Sequence, residues 1–318
     1  MQINQRTSAA FRYARYIFIL SAIFLISGIN IAASQLDIVG PTGSGIFGAT
    51  VVALPNGNIV VVDTGYDAPG PVADVGAVYL YNGKTGALIS TITGSTATDN
   101  IGSSTTGITV LANSNFVIRS VNWDNGTAVN AGAATFCSGV TGCSGVVSAA
   151  NSIVGTTAAD NPGSGGVVAL GNGNYVLRTP NWDAPGPIAN VGAVTFCSGM
   201  TGCSGAITAA NSLVGSTASD TISSSGVFVL PNNNFVVSSS GSWDNGATLN
   251  AGAMTFCSGT TGCPTGAVSA TNSLVGSTAS DGIGTVTILA NGNYVIFASN
   301  WDNGASANVG SATFCSGT

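Results

Sequence analysis

One segment occurs repeatedly along this chain, and its spacing constrains the fold more than any other feature. The clearest copy is NWDAPGPIANVGAVTFCSGMTGCSGAITAANSL, residues 181–213. Its tryptophan has counterparts at Trp123, Trp243 and Trp301, and Tyr66 holds the same place in an earlier copy, so the steps are 57, 59, 61 and 58 residues. An even period of this length is the signature of a repeat architecture. Residues 35–318 are therefore predicted to form one domain of five repeats.

Each copy contains four short runs that suit β-strands. In the third copy, GVVAL and YVLRT flank Asn172-Gly173, VGAVTF follows the NWDAPGP connector, and AITAANSLVG follows the second cysteine. Asn-Gly pairs favour hairpin turns because both residues tolerate positive φ. No run has helical periodicity. We predict an all-β fold, a β-propeller of about five four-stranded antiparallel blades, with a β-solenoid as the alternative.

The two ends of the repeat array are out of phase. LDIVGPTGS, from Leu36 to Ser44, matches the fourth strand of a copy, whereas the sequence finishes with SATFCSGT, which matches the third strand. A first strand that completes the last blade would close the array into a ring. We therefore predict that Leu36–Gly40 pairs with Ala312–Cys315.

Residues 1–34 have the layout of a secretory signal peptide. Three arginines precede an apolar run over residues 16–33, and small residues suit cleavage before Gln35. The run is also long enough to span a bilayer, so an uncleaved anchor, which would be the only contact with a membrane, is the alternative to the favoured cleaved signal. In both cases we expect the repeats outside the cytoplasm, secreted or at the cell surface.

The mature chain is acidic and poor in charge. It keeps three basic residues, Lys84, Arg119 and Arg178, against twelve aspartates, which gives a net charge of −9, and it has no His and no Glu. Nucleic acid is not an expected partner, because phosphate binding needs clustered Lys and Arg. General acid-base catalysis would depend on Asp, Tyr or Cys. Since most of the aspartates occur at equivalent positions in several copies, we expect a non-enzymatic protein without a cofactor.

Six of the seven cysteines form pairs six positions apart, in the motif CSGxTGC. A disulfide within each pair is favoured over a metal site, because the spacing is not CxxC and no His is present. The pairs are Cys137 with Cys143, Cys197 with Cys203, and Cys257 with Cys263. Cys315 opens a fourth motif, and it is either an odd thiol or a sign that the sequence stops short of further repeats.

The tryptophans, each followed by aspartate, form the most tempting ligand site. Aromatic faces stack on sugars and carboxylates bind their hydroxyls, so a glycan-binding rim is one interpretation. Packing between blades, with the aspartate shaping the next turn, is the favoured one, because equivalent boundaries need equivalent large side chains. The candidate rim residues are Tyr66, Trp123, Asp124, Trp182, Asp183, Trp243, Asp244, Trp301 and Asp302.

A second aspartate series follows the predicted fourth strands. Its members are Asp99, Asp160, Asp220 and Asp281. Oxygen ligands of this kind suit calcium. Each stands alone in the sequence, so we favour a turn residue over a metal ligand.

The run FGATVVALPNGNIVVVDTGYDAPGPVADVGAVYLYNGKTGALISTITG, residues 47–94, resembles the FG-GAP repeat of integrin α-chain propellers. The array from Leu36 also resembles bacterial repeats of unassigned function in large secreted and surface proteins. These resemblances imply a propeller architecture and an extracellular location. The integrin calcium loop, DxDxDG, is missing here, so the resemblance does not extend to calcium.

These observations predict an extracellular binding or adhesion domain, with a glycan or protein ligand at the cell surface. A structural spacer of a larger surface protein and a glycan-active enzyme using Asp residues are the alternatives. A specific function is expected where the copies disagree, which includes Tyr66–Asp74, Trp182–Asn190 and the NGxxxN connectors of the other copies.

Overall fold

The computed structural model describes residues 35–318 except 71, 104–106 and 187. The chain divides into two compact units, residues 1–39 and 40–318. The described part of the first unit, residues 35–39, contains no strand, and the predicted signal segment lies outside the described residues. Nowhere in the described part of the chain is there a helix long and apolar enough to cross a membrane.

The second unit contains five repeats, each built of short strands. Repeat 1 has β1 (Thr50–Ala53), β2 (Ile59–Asp63), β3 (Ala77–Tyr81) and β4 (Leu88–Thr93). Repeat 2 has β5 (Ile108–Val110), β6 (Phe116–Ser120), β7 (Ala133–Cys137), β8 (Gly145–Val146) and β9 (Ser152–Val154). Repeat 3 has β10 (Gly166–Ala169), β11 (Tyr175–Thr179), β12 (Ala193–Cys197), β13 (Gly205–Ala206) and β14 (Leu213–Val214). Repeat 4 has β15 (Gly226–Val229), β16 (Phe235–Ser239), β17 (Ala253–Cys257), β18 (Gly266–Ala267) and β19 (Leu274–Val275), and repeat 5 has β20 (Thr285–Ile288), β21 (Tyr294–Ala298) and β22 (Ser311–Cys315).

Three strands of every repeat form an antiparallel meander, and in repeats 1 to 4 a further strand extends it. The sheet orders are β1-β2-β3-β4-β8, β13-β9-β7-β6-β5, β10-β11-β12-β14-β18, β15-β16-β17-β19 and β20-β21-β22. The first hairpin of repeat 3 pairs Ala169 with Tyr175 across the Asn-Gly turn, as the sequence predicts. The all-β repeat fold is therefore confirmed, and it is of the propeller-like or solenoid-like type.

The predicted fourth strand differs from expectation, because it is split between two sheets. In repeat 3, β14 completes its own sheet, whereas β13 pairs in parallel with β9 of repeat 2. A turn separates the halves, in which Asn211 Nδ2 donates to Ala206 O at 2.9 Å and Asn211 Oδ1 accepts from Thr208 N at 2.9 Å. The strands β8 and β18 pair in parallel with the preceding repeat in the same way. Each such strand fastens one repeat to the one before it.

The predicted closure of the ring is wrong. Residues 36–40 form no strand, and the last sheet has three strands, β20-β21-β22. The sequence that follows residue 40 serves the first sheet instead: Ile46 N donates to Asp63 Oδ1 at 2.9 Å, and the ring of Phe47 lies 5.4 Å from that of Tyr79. A match to the fourth-strand sequence did not produce a fourth strand here.

The hydrophobic core is divided into four clusters, and each lies between successive sheets. Alternate residues of a strand point to opposite sides, so each inner sheet contributes to two clusters. In β11, Tyr175 and Leu177 face repeat 2, whereas Val176 faces repeat 4. We call the side towards the preceding repeat the backward face and the side towards the following repeat the forward face.

Candidate functional site

The tryptophans lie mainly in the cores between repeats. Trp123, Trp182 and Trp243 are 4%, 2% and 2% exposed, each in the cluster between its own repeat and the preceding one. Trp301 and Tyr66 are partly exposed. A buried indole has no free face on which a sugar can stack. The structure therefore places three of the four tryptophans in the cores between repeats.

The aspartate after each of these aromatic residues closes the connector that follows it. Its Oδ1 accepts a hydrogen bond from the backbone N–H at the end of the connector, at 2.7–2.8 Å in all five repeats. The closing residue has positive φ, which Asn and Asp tolerate better than most residues. The pairs are Asp67 with Asp74, Asp124 with Asn130, Asp183 with Asn190, Asp244 with Asn250, and Asp302 with Asn308. These carboxylates shape loops.

The second aspartate series is fully buried and fastens each connector to the repeat before it. Asp160 Oδ2 accepts from Thr156 N and Thr157 N at 2.7 and 2.8 Å, and its Oδ1 accepts from Asp183 N at 2.9 Å. The same arrangement occurs at Asp99, Asp220 and Asp281. A buried carboxylate is tolerated when hydrogen bonds replace its hydration.

At Asp281, burial and hydrogen bonding have opposite effects on the pKa of the carboxyl group. Burial raises the pKa of the carboxyl, and hydrogen bonds from the Thr278 hydroxyl and from the Thr278, Ser277 and Asp302 N–H groups lower it by more. The net result is a pKa below the usual value for aspartate. Asp281 is thus held as a carboxylate by the loop around it.

Two carboxylates approach each other at three boundaries, where one threonine hydroxyl contacts both. Thr157 Oγ1, for example, donates to Asp160 Oδ1 at 2.6 Å and to Asp183 Oδ2 at 3.3 Å. Within the described residues no three His, Cys, Asp or Glu side chains gather as a metal site would need. The oxygen atoms of the buried aspartate are already used by N–H and O–H donors.

The three predicted cysteine pairs lie at disulfide distance, with Cα atoms 4.9, 5.4 and 4.3 Å apart. Each links the end of the third strand to the far side of its CSGxTGC loop. Cys315 has a free, partly buried thiol. Burial raises the pKa of that thiol and a hydrogen bond with Tyr294 lowers it, with burial the stronger effect. A raised pKa makes Cys315 a poor nucleophile at neutral pH.

The asparagines of the hairpin turns form a hydrogen-bonded ladder along the array. Asn115 Oδ1 accepts from Gly139 N of its own repeat at 2.8 Å, and Asn115 Nδ2 donates to Gly199 O of the next repeat at 2.7 Å. Asn113 Nδ2 donates to the same carbonyl at 2.6 Å. Equivalent bonds join repeat 1 to 2, 3 to 4 and 4 to 5. Position 139 requires glycine, because an added Cβ there would overlap the carbonyl oxygen of Ser114.

This ladder fixes a row of loop tips that sequence reasoning did not single out. The residue after each ladder glycine is exposed, as with Val140 at 67% and Met200 at 75%. The full row is Lys84, Val140, Met200, Thr260 and Thr318. Four residue types, Lys, Val, Met and Thr, occupy these five positions. The glycine before each of them does not vary, and neither does the threonine two residues before Cys143, Cys203 and Cys263. The signal was present as the variable x of CSGxTGC.

Comparison with protein families follows the same five-part division. A family model described as a repeat of unknown function (DUF5650) matches residues 53–103, 110–164, 169–224, 229–285 and 288–318. The chain belongs to this family. Each DUF5650 match begins at the last residue of a repeat's first strand and contains its second and third strands, which agrees with the resemblance to bacterial repeats of unassigned function. The FG-GAP resemblance stays a prediction, and a search of curated proteins found no match.

Proposed function

We propose that this chain is an extracellular binding or adhesion module that uses the DUF5650 array as a rigid scaffold and has no catalytic activity. One observation carries the proposal. Side chains that are the same from copy to copy, such as the turn asparagines and the buried aspartates, make hydrogen bonds within the array. Side chains that differ between copies are exposed at the loop tips. A scaffold needs uniform internal contacts, and a binding surface needs variable external ones.

The location rests on the cysteines and the sequence of the first 34 residues. Three cysteine pairs at disulfide distance favour an oxidising compartment, because disulfides persist mainly in exported proteins. The predicted signal peptide favours the same compartment. Secretion or display at the cell surface satisfies both.

The proposed ligand surface is the row of loop tips formed by Lys84, Val140, Met200, Thr260 and Thr318. Its inner members are apolar or hydroxyl-bearing, and it carries one cation, Lys84. Exposed Val and Met in neighbouring loops supply apolar contact, and Thr supplies hydrogen bonds. Such a mixture suits a glycan or a protein ligand at the cell surface and does not suit nucleic acid.

The test is binding by the intact chain to a glycan array and to candidate surface proteins. The double variant V140S/M200S is expected to reduce binding at least tenfold while the melting temperature is unchanged. V51S, which changes an exposed apolar residue on β1, outside both the connectors and the loop tips, is the matched control. Equal binding by parent and double variant would overturn the proposed surface.

A structural spacer is the second candidate, and the continuous asparagine ladder favours it. A spacer needs contacts that repeat without interruption, and the ladder joins every successive pair of repeats. No binding to any glycan or surface protein would favour the spacer. Release of reducing sugar from a glycan would instead favour the enzyme alternative.

A further inference from the structure

The forward face of repeat 5 is exposed, in contrast to the same face of the inner repeats. Phe314 and Phe297 are 63% and 42% exposed. The residues equivalent to Phe314 are Phe136, Phe196 and Phe256, which are partly buried and pack in the cores between repeats. An aromatic face of this kind on a folded domain indicates a contact surface.

The inner boundaries show what covers such a face. At the three boundaries after repeats 2, 3 and 4, the phenylalanine stacks on an aromatic residue at the start of the next repeat's second strand. Phe136 lies 6.3 Å from Tyr175 with an interplanar angle of 5°, and Phe256 lies 6.4 Å from Tyr294 at 4°. Phe196 and Phe235 make the third pair, at 6.5 Å and 12°. The cover is always another repeat.

Two polar contacts accompany the stacking at inner boundaries. Both asparagines of the hairpin turn donate to a glycine carbonyl in the next repeat, as Asn172 and Asn174 do to Gly259 O at 2.7 and 3.0 Å. The short strand that follows the next repeat's cysteine loop then pairs in parallel with the preceding sheet. These contacts recognise a backbone carbonyl and a strand edge.

Repeat 5 presents the same donors without this acceptor. Asn293 Oδ1 accepts from Gly317 N at 3.1 Å, which holds the side chain as in the inner repeats. Among the described residues, no carbonyl accepts a hydrogen bond from Nδ2 of Asn291 or Asn293. The turn of repeat 5 therefore offers two amide donors, Asn291 Nδ2 and Asn293 Nδ2, to a carbonyl of a further repeat.

Repeat 1 of a second copy does not have the complementary surface. Its backward face is already covered: Tyr79 is buried beneath Phe47, and Tyr81 lies 6.3 Å from the same ring. Repeat 1 also has the loop NGKTG in place of CSGxTGC, and β4 follows it with no short parallel strand between. Repeat 1 is built as a starting cap.

We propose that the forward face of repeat 5 binds a further DUF5650 repeat of the inner type. Such a repeat carries a CSGxTGC loop, a short strand after it, and Tyr or Phe at the start of its second strand. Phe314 stacks on that aromatic residue, and Asn291 and Asn293 donate to the loop glycine carbonyl. This inference continues the interfaces seen at the inner boundaries and does not depend on the loop-tip ligand.

The experiment extends the full chain by a copy of its own residues 261–318 followed by a copy of residues 261–267, placed directly after Thr318, so that the added repeat ends with a complete CSGxTGC loop and its short strand. The register is correct because CSGT occupies both 257–260 and 315–318. The added repeat is expected to resist limited proteolysis. The same extended chain with Phe314→Asp is the matched control, and its added repeat should be cleaved at least tenfold faster.

A second chain shows whether an added repeat can fold at all. It carries a duplicate of residues 201–260 inserted after Thr260, so that the extra repeat has a neighbour on each side. The proposal is wrong if this chain resists proteolysis while the repeat added after Thr318 is cleaved equally fast with and without the Phe314→Asp substitution. Sedimentation of the unextended chain is expected to show a monomer, and a dimer abolished by Phe314→Asp would show that a second copy is the partner instead.

Discussion

The outer face of the first sheet of the array is covered, whereas that of the last sheet is exposed. In repeat 1 the backward face is covered by the residues before β1, which place Phe47 on Tyr79 and Tyr81. In repeat 5 the forward face exposes Phe297 and Phe314. Repeat arrays need caps because a terminal sheet otherwise leaves half of its apolar surface in water. The comparison shows that one end carries a cap and the other carries an unmodified repeat surface.

The largest expected effect comes from removing the same aromatic ring at an inner and at the last boundary. Phe256→Ala should lower the free energy of unfolding by about 2–3 kcal/mol, because it leaves a cavity beside Tyr294. Phe314→Ala should change it by less than about 0.5 kcal/mol, since this ring is mostly in water. Urea unfolding of the two variants measures the difference. Equal losses would contradict the asymmetry.

The disulfides give the next test. Replacing Cys197 and Cys203 by Ser should lower the free energy of unfolding by about 2 kcal/mol, because the loop that the bond closes is short. Cys315→Ser should be nearly neutral, as this thiol forms no disulfide. Thermal unfolding of both variants under non-reducing conditions decides the matter. A free-thiol assay on the denatured, unreduced chain should find one thiol, and a result near seven would refute the pairing.

The sequence was sufficient for the features that repeat locally. The Asn-Gly turns, the three-strand meander and the cysteine pairs all depend on residues within one copy, and the structure contains them. The burial of Trp182 agrees with the expectation that equivalent boundaries between repeats need equivalent large side chains. These are short-range properties, and period and turn chemistry encode them directly.

Long-range pairing could not be predicted in the same way. The string AITAANSLVG reads as one strand, yet β13 and β14 belong to different sheets because Asn211 turns the chain between them. The segment Leu36–Gly40 resembles a fourth strand and forms none. The asparagine ladder was also missed, since its partners are more than 80 residues apart and appear as ordinary turn residues.

The ladder offers a smaller test of the same asymmetry. Asn174→Ala removes one bond within repeat 3 and one to repeat 4, and should cost about 2 kcal/mol. Asn293→Ala removes the bond from Gly317 N and should cost about 1 kcal/mol. Chemical unfolding of the two variants measures the costs. A larger loss at Asn293 would contradict the account.

The pH dependence of stability tests the buried aspartates. Because the folded pKa of Asp281 lies below its unfolded value, its contribution is present above about pH 4 and is lost as the pH falls through the folded pKa. Asp281→Asn should therefore be less stable than the parent near neutral pH, and the difference should shrink on acidification. Unfolding curves between about pH 2 and pH 6, which bracket the ordinary aspartate pKa, give both values. If the difference in stability between the parent and Asp281→Asn did not change with pH, ionisation of Asp281 would not be what stabilises the fold.

Hydrogen exchange of the native chain tests the difference between the two ends most directly. Amides of β2 and β3 are expected to be protected as strongly as those of β11 and β12, because the cap around Phe47 replaces a preceding repeat. Amides of β21 and β22 are expected to exchange faster than all four, because the forward face of their sheet is open to water. Equal protection of β21–β22 and β11–β12, or exchange of β2–β3 as fast as that of β21–β22, would contradict the account.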